Sequence, residues 1–167
     1  MNLVNFTAVL VAALATFPIG FIWYNPKVFG TAWMHSIGVN SEEEMKKGAN
    51  MVLIFGLSLL FSILLSTSLI PIVIHQMGIA SLLSEYGINA NSDIQLLLDG
   101  KVIEWKDSFR TFKHGMFHGA IAAVFIVLPV LGTNALYERR GFKYILINAG
   151  YWLVNMMVMG GIICAWR

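Results

Sequence analysis

The sequence has little charge and almost no cysteine. Of its 167 residues only 12% are charged, the net charge is +2, and Cys164 is the one cysteine. A lone cysteine excludes an internal disulfide framework and an all-cysteine metal site. The sequence also contains no glycine-rich phosphate loop, no haem-attachment motif and no convincing serine, histidine and aspartate grouping. We therefore predict no cofactor and, because the charge is small and mixed in sign, no nucleic-acid partner.

Long apolar stretches dominate the chain instead. The sequence is 57% hydrophobic, its mean hydropathy is +0.72, and the apolar stretches cover roughly residues 3–24, 51–74, 115–133 and 144–166. A helix needs about 20 apolar residues to cross the hydrocarbon core of a bilayer. The pattern predicts one all-α membrane domain over residues 1–167, a four-transmembrane-helix bundle embedded in the lipid bilayer. Extramembrane loops are expected near residues 25–50 and 76–113.

The four stretches contain no Asp, Glu, Lys or Arg. Ion-coupled carriers and proton pumps usually place such a group near the bilayer midplane, so its absence counts against both classes. No basic residue precedes the first stretch, which we therefore interpret as an uncleaved span rather than a signal peptide. Basic residues are divided almost evenly between the two sides. The dense turn at Arg139, Arg140 and Lys143 favours termini outside the cytoplasm.

Capping signals predict where several helices begin. Asn25, followed by a proline, predicts a short interfacial helix that ends near Gly38. Ser41 and Glu44 have the spacing of a capping box. We expect the helix that starts there to continue unbroken through the second span to about Gln76.

The later connections also carry helix and turn signals. Ile79–Tyr86 and Ser92–Leu98 are predicted to be short amphipathic helices. The turn between Asn134 and Lys143 is short enough to force the third and fourth spans into an antiparallel hairpin.

Two histidines form the densest chemical feature. His114 and His118 are four residues apart, so a helix places both imidazoles on one face, as zinc sites require. One interpretation is a metal or proton site at the mouth of the bundle, with His75 or His35 as a third group. The other is that both histidines bond loop carbonyls and anchor a helix end. We favour the second, because no Glu or Cys lies at metal spacing.

Small and polar residues recur within the spans. The second span has a serine at every fourth position, the fourth has two asparagines seven apart, and the third has a small-residue stripe: Ser58, Ser62, Ser66, Asn148, Asn155, Gly115, Gly119 and Ala123. Small residues let helices approach closely, and hydroxyl and amide groups form hydrogen bonds across helices. We favour helix packing as their role, with a polar conduction path as the alternative.

Several motifs together resemble one known family. They are Gly20-Phe21-Ile22-Trp23-Tyr24-Asn25-Pro26 with Phe29-Gly30-x-x-Trp33-Met34, His114-Gly115 with His118-Gly119, Gly132-Thr133-Asn134-x-x-Tyr137-Glu138-Arg139-Arg140, and Ile147-Asn148-Ala149-Gly150-Tyr151. In these the chain resembles small bacterial four-span membrane proteins that are catalogued only as a domain of unknown function. The resemblance spans nearly the whole chain and implies a multi-pass protein of the bacterial inner membrane without established activity. Its motifs cluster at span ends, which suits either a shared site there or a shared hairpin geometry. For a shared site, we name Tyr24, Asn25, Asn148 and His75 with the two histidines as candidate polar residues.

Three functions fit these features. The first, which we favour, is a non-enzymatic bundle that acts through self-association, as a homo-oligomer, or within a larger membrane complex. The second is a channel or transporter for small solutes, with a polar path along Ser58–Ser66 and Asn148–Asn155. The third is a metal- or proton-handling membrane protein centred on His114 and His118.

Overall fold

The computed structural model describes residues 4–85 and 108–166, and its regular structure there is entirely helical. Four helices are long and apolar enough to cross a membrane, which confirms the prediction of an all-α protein with four membrane-spanning helices. The helices in chain order are α1 (Phe6–Trp23), α2 (Thr31–Ser36), α3 (Glu42–Lys46), α4 (Met51–Val73), α5 (Gln76–Glu85), α6 (Phe112–Tyr137) and α7 (Phe142–Ala165).

Helix α7 lies at the centre of the bundle and packs against α1, α4 and α6. The buried core includes Ala12, Leu69 and Met159, one from each of α1, α4 and α7. Outward-facing side chains are strongly apolar, with Val52 85% exposed and Phe125 74% exposed. A helix that is hydrophobic on all sides suits a membrane, where acyl chains rather than water cover these side chains.

The bundle has two ends, which we name by their residues. At the histidine end α4 and α7 finish and α6 begins, close to His75 and His114. At the Tyr24 end α1 finishes and α4 and α7 begin. The short helices α2 and α3 belong to the Tyr24 end, since the rings of Tyr24 and Trp33 lie 5.1 Å apart.

The small-residue stripe of α6 packs against α7 within the same chain. A Cβ atom added at Gly115 would collide with the carbonyl oxygen of Gly160, and one at Gly119 with that of Met156. Ala123, further along, is also buried. Gly119 lies one turn after Gly115 in α6, and its contact Met156 lies one turn before Gly160 in α7. The two helices therefore run antiparallel, as the short turn predicts. The two backbones approach this closely because neither glycine has a side chain.

Helix α6 is locally widened in its middle. Residues Ala123–Val127 are π-helical, and the Leu128 N–H bonds to the carbonyl of Ala123. Pro129 follows, and a proline lacks an N–H and pushes against the carbonyl four residues earlier. The π-helical turn therefore accommodates the proline without ending the span.

The helix of the second span, α4, is shorter than the sequence predicts. Ser41 does cap a helix, because its Oγ accepts from the Glu44 N–H at 3.1 Å. That helix ends at Lys46, and Gly48 has a φ of +75°, which no right-handed helix allows. A new cap at Asn50 then starts α4, so the prediction of one unbroken helix is wrong.

Two other predicted helices are present, although their first and last residues differ from the prediction. Asn25 accepts from the Lys27 N–H at 2.9 Å, and the interfacial segment that it starts is a π-helical turn (Pro26–Gly30) followed by α2. Helix α5 covers most of the first predicted amphipathic helix, Ile79–Tyr86. The second, Ser92–Leu98, lies outside the described residues.

Candidate metal centre

Three histidines from two elements converge at the histidine end. His75 lies in the short link between α4 and α5, whereas His114 and His118 lie on consecutive turns at the start of α6. The Nε2 atom of His75 is 2.8 Å from Nε2 of His114 and 3.2 Å from Nε2 of His118. One ligand nitrogen from each ring lies within 4.8 Å of the other two. The third group that the sequence left open is therefore His75, whereas His35 lies on α2 at the opposite end.

The start of α6 is held by contacts that do not use the imidazoles. Thr111 caps the helix, its Oγ1 accepting from the His114 N–H at 3.2 Å. The Arg110 guanidinium donates to the carbonyls of Cys164 and Trp166, each at 2.6 Å, and so satisfies the C-terminal end of α7. A cation at this end also complements the helix dipole. The backbone around His114 is thus fixed by its neighbours.

A second contact fixes the other side of the cluster. The Gln76 side-chain Nε2 donates to the carbonyl of Ser108 at 2.8 Å, and Gln76 directly follows His75. The chain after α4 is therefore tied to the chain before α6. Together with the cap of α6, this contact brings His75 and His114 to the same point.

A single imidazole nitrogen cannot make a good hydrogen bond to both of the other rings at once. A ring nitrogen carries either one hydrogen or one lone pair, so it makes one good hydrogen bond. The Nε2 atom of His75 nevertheless lies within bonding distance of two other Nε2 atoms. A cation at the point of convergence would accept all three lone pairs at once, which fits this donor set better.

The dimensions also suit a small transition-metal ion. Tetrahedral zinc with Zn–N bonds of about 2.0–2.1 Å separates its ligand nitrogens by about 3.3 Å. The two separations from the His75 Nε2, 2.8 and 3.2 Å, are close to that value. Aromatic rings flank the group, since the Phe109 ring lies 5.2 Å from that of His114 and the Phe117 ring 5.5 Å from that of His118. His75 itself is exposed, so the site is reached from outside the bundle.

The remaining candidate polar residues lie at the Tyr24 end. The Tyr24 hydroxyl donates to Oδ1 of Asn148 at 2.9 Å, and the amide of Asn148 donates to the Tyr144 carbonyl. Asn25 serves as the cap described above. The structure therefore divides the six candidate residues into two groups, three histidines at one end and Tyr24, Asn25 and Asn148 at the other.

Among the polar residues of the two stripes, Ser62 bonds across a helix interface and Asn155 bonds within its own helix. The hydroxyls of Ser62 and Thr16 are 3.2 Å apart, which joins α4 to α1. Asn155 is fully buried and donates back to the Tyr151 carbonyl at 2.8 Å. Ser66 is likewise buried, and Ser58 lines a cavity described below. Ser66 Oγ and Asn155 Oδ1 are buried without a hydrogen-bond partner among the described residues, so the packing role of the two stripes stays a prediction.

Several residues that shape the two ends are not among the candidate site residues that the sequence gives. Arg110 counts there only as a loop charge, although it binds the end of α7. Trp23 donates to the Ile147 carbonyl at 3.1 Å, and the ring of Tyr151 lies 5.0 Å from that of Tyr24. Thr16 is a polar residue in an apolar span, and that position is the signal that could have identified it.

The fold and its two polar ends define a helical membrane protein with four spans. Residues 7–164 match the model of a family described as "Protein of unknown function (DUF1761)", and the chain belongs to that family. The resemblance to a family catalogued only as a domain of unknown function is therefore confirmed. No curated protein and no solved structure matches the chain.

Proposed function

We propose that this membrane protein binds a divalent transition-metal ion, Zn²⁺ first, through His75, His114 and His118. The observation that carries the proposal is that the His75 Nε2 lies 2.8 and 3.2 Å from the Nε2 atoms of the two α6 histidines. Imidazole is a common ligand for zinc, copper and nickel. Three histidines leave a fourth position for water or another ligand, as in zinc sites that exchange ligands.

The location of the site supports exchange rather than a purely structural role. A structural zinc site is usually closed by four protein ligands. Here the described residues supply three, and His75 is exposed at the end of the bundle. A metal at this position can be delivered and removed from outside the membrane, or can hold a small ligand there. The proposed class is therefore metal handling at the membrane surface.

The sequence-based preference for self-association loses one of its supports. That hypothesis rested on the stripe of Gly115, Gly119 and Ala123, on the serine stripe and on the absence of charged residues within the spans. Both glycines pack against α7 of the same chain, in contact with Gly160 and Met156. The stripe is thus already used, and we propose no oligomer from it.

A transport path is also less well supported than the metal site. It would require the serine and asparagine stripes to face one water-filled space. Ser62 bonds to Thr16 on α1, whereas Asn148 bonds to Tyr24 at the end of the bundle. We therefore propose no solute path through the bundle.

Metal analysis of the purified protein tests the proposal. Protein stripped with a chelator, reloaded with Zn²⁺ and desalted should retain about one zinc per chain. Substitution of His75, His114 or His118 by alanine should lower zinc affinity at least about tenfold, because loss of even an outer-shell partner costs that much.

The fourth histidine of the chain provides a matched control. His35 lies on α2 at the Tyr24 end, so His35→Ala should retain zinc as the unmodified protein does. The proposal would be contradicted if the unmodified protein retained no zinc. It would also be contradicted if His35→Ala and His114→Ala reduced zinc retention equally.

A further inference from the structure

A separate cavity of about 350 Å³ lies in the half of the bundle nearer the Tyr24 end. It is formed between α1 and α4 and is closed at the back by Tyr151 and Trp152 of α7. Its volume falls within the range of about 300–1,000 Å³ that is usual for small-molecule sites. None of its lining residues belongs to the three-histidine site.

The walls of this cavity are aromatic and open toward the lipid. Phe21 is 67% exposed and Phe61 is 59% exposed, one from each of the two helices that frame the opening. Phe17 and Phe55 pack behind them with their ring centroids 5.9 Å apart. Aromatic rings prefer offset or edge contacts with other rings. A ligand that enters here comes from the lipid phase and is best matched by a flat ring.

The cavity carries no formal charge. None of the described residues that line it is Asp, Glu, Lys or Arg. Transfer of an unpaired charge into such a site costs far more than transfer of a neutral group. The ligand is therefore uncharged.

Of the five hydroxyl groups that line the cavity, all but that of Ser58 have their hydrogens committed elsewhere. Tyr24 donates to Asn148, and Tyr151 donates to the Thr16 carbonyl at 3.4 Å. The Thr16 hydroxyl donates to the Ala13 carbonyl at 2.7 Å, so in its contact with Ser62 the serine is the donor.

These four hydroxyls retain free lone pairs but no free hydrogen. A hydroxyl oxygen has two acceptor lone pairs and one hydrogen. A ligand that approaches them must therefore supply the hydrogen itself. We infer that the cavity between α1 and α4 binds an uncharged, lipid-soluble phenol or hydroquinone, whose ring meets the aromatic walls and whose hydroxyl donates to the hydroxyl oxygens.

Equilibrium binding to the protein in lipid nanodiscs tests this inference. The probe is a tritiated hydroquinone with a short alkyl tail, compared with its dimethyl ether, which cannot donate a hydrogen bond. The hydroquinone should bind saturably, and the ether should bind about three- to tenfold more weakly, the value of one lost hydrogen bond. Binding of the ether within about twofold of the hydroquinone would overturn the inference.

Two substitutions on α4 locate the binding. Ser62→Ala removes an acceptor of the cavity and should weaken binding of the hydroquinone about three- to tenfold. Ser66→Ala, one turn further along and outside the cavity lining, should leave it unchanged. Equal weakening by both substitutions would contradict the assignment.

A filling variant keeps the test independent of hydrogen bonding. Ser58 lines the cavity, and Ser58→Leu should reduce binding of the hydroquinone by at least about tenfold by occupying its space. The same change at exposed Ser68, outside the cavity lining, serves as the control and should leave binding unchanged. Unaltered binding in Ser58→Leu would exclude this cavity as the site.

Discussion

At the level of single residues, Tyr24 and Asn148 show how polar groups are satisfied at the edge of the bundle. The Tyr24 hydroxyl donates to Oδ1 of Asn148 at 2.9 Å, while the Asn148 amide bonds to its own helix. The bond joins the end of α1 to the start of α7. A tyrosine at a membrane–water interface is expected, but this partner is set by the fold.

Replacement of Tyr24 by phenylalanine tests the contribution of this bond. The change removes the hydroxyl and keeps the ring, which leaves Asn148 without its donor. We expect the free energy of unfolding to fall by about 0.6 kcal/mol, and by no more than about 1.7 kcal/mol, as for other hydrogen bonds between membrane helices. Denaturation in mixed detergent micelles measures this quantity.

Tyr137 is the matched control for this substitution. It is 88% exposed at the end of α6, so Tyr137→Phe should leave the free energy of unfolding unchanged. If both variants unfold like the unmodified protein, the Tyr24–Asn148 bond contributes nothing to stability.

The histidine cluster shows which part of a site the sequence can predict. The spacing of His114 and His118 predicts that they share one face of a helix, and they do. The sequence offered His75 or His35 for the third position and placed only His75 among the candidate polar residues. The choice between them depends on where α4 ends and on how Gln76 and Arg110 bind neighbouring backbone. Such tertiary contacts have no local sequence signal.

At the level of helices, α6 and α7 are held together by close approach of their backbones. Gly119 and Gly115 face the carbonyl oxygens of Met156 and Gly160, with no room for a side chain. The sequence predicted such a stripe correctly but not its partner. A small-residue stripe packs equally well on a helix of the same chain or of another.

Gly119→Ala tests the hairpin. The added methyl group would meet the backbone of Met156, so the helices must separate or shift. Overpacking of this kind costs about 1–3 kcal/mol. We expect a lower midpoint of thermal unfolding in detergent, followed by circular dichroism.

Gly56 offers the control for that substitution. It lies within α4, and a Cβ atom added there meets nothing within 4 Å. Gly56→Ala should therefore leave stability unchanged or raise it by up to about 1 kcal/mol, because alanine favours the helix. An equal loss of stability in both variants would argue against close packing of α6 on α7.

The break between α3 and α4 shows where helix prediction fails. The capping box at Ser41 and the apolar run from Met51 each predict helix correctly. Gly48, with φ at +75°, and the cap at Asn50 separate them. A glycine at this point is compatible with a continuous helix at modest cost, so its left-handed backbone is decided by the surrounding structure.

At the level of the whole molecule, the two polar groups lie at opposite ends of one bundle. With four spans, the start of α1 and the end of α7 lie at the histidine end. If the predicted orientation holds, with termini outside the cytoplasm, the three histidines face the exterior. The cavity between α1 and α4 lies in the other half of the bundle. The proposed metal site and the proposed site for a lipid-phase ligand therefore lie in separate regions of the bundle.

The most direct test of the metal proposal is X-ray absorption at the zinc edge of the loaded protein. We expect about three nitrogen ligands at about 2.0–2.1 Å, with the outer-shell scattering of imidazole rings. This pattern should be preserved in His35→Ala and lost when His114 and His118 are both replaced by alanine. A spectrum of oxygen ligands alone, or one that the double substitution leaves unaltered, would contradict a metal centre at His75, His114 and His118.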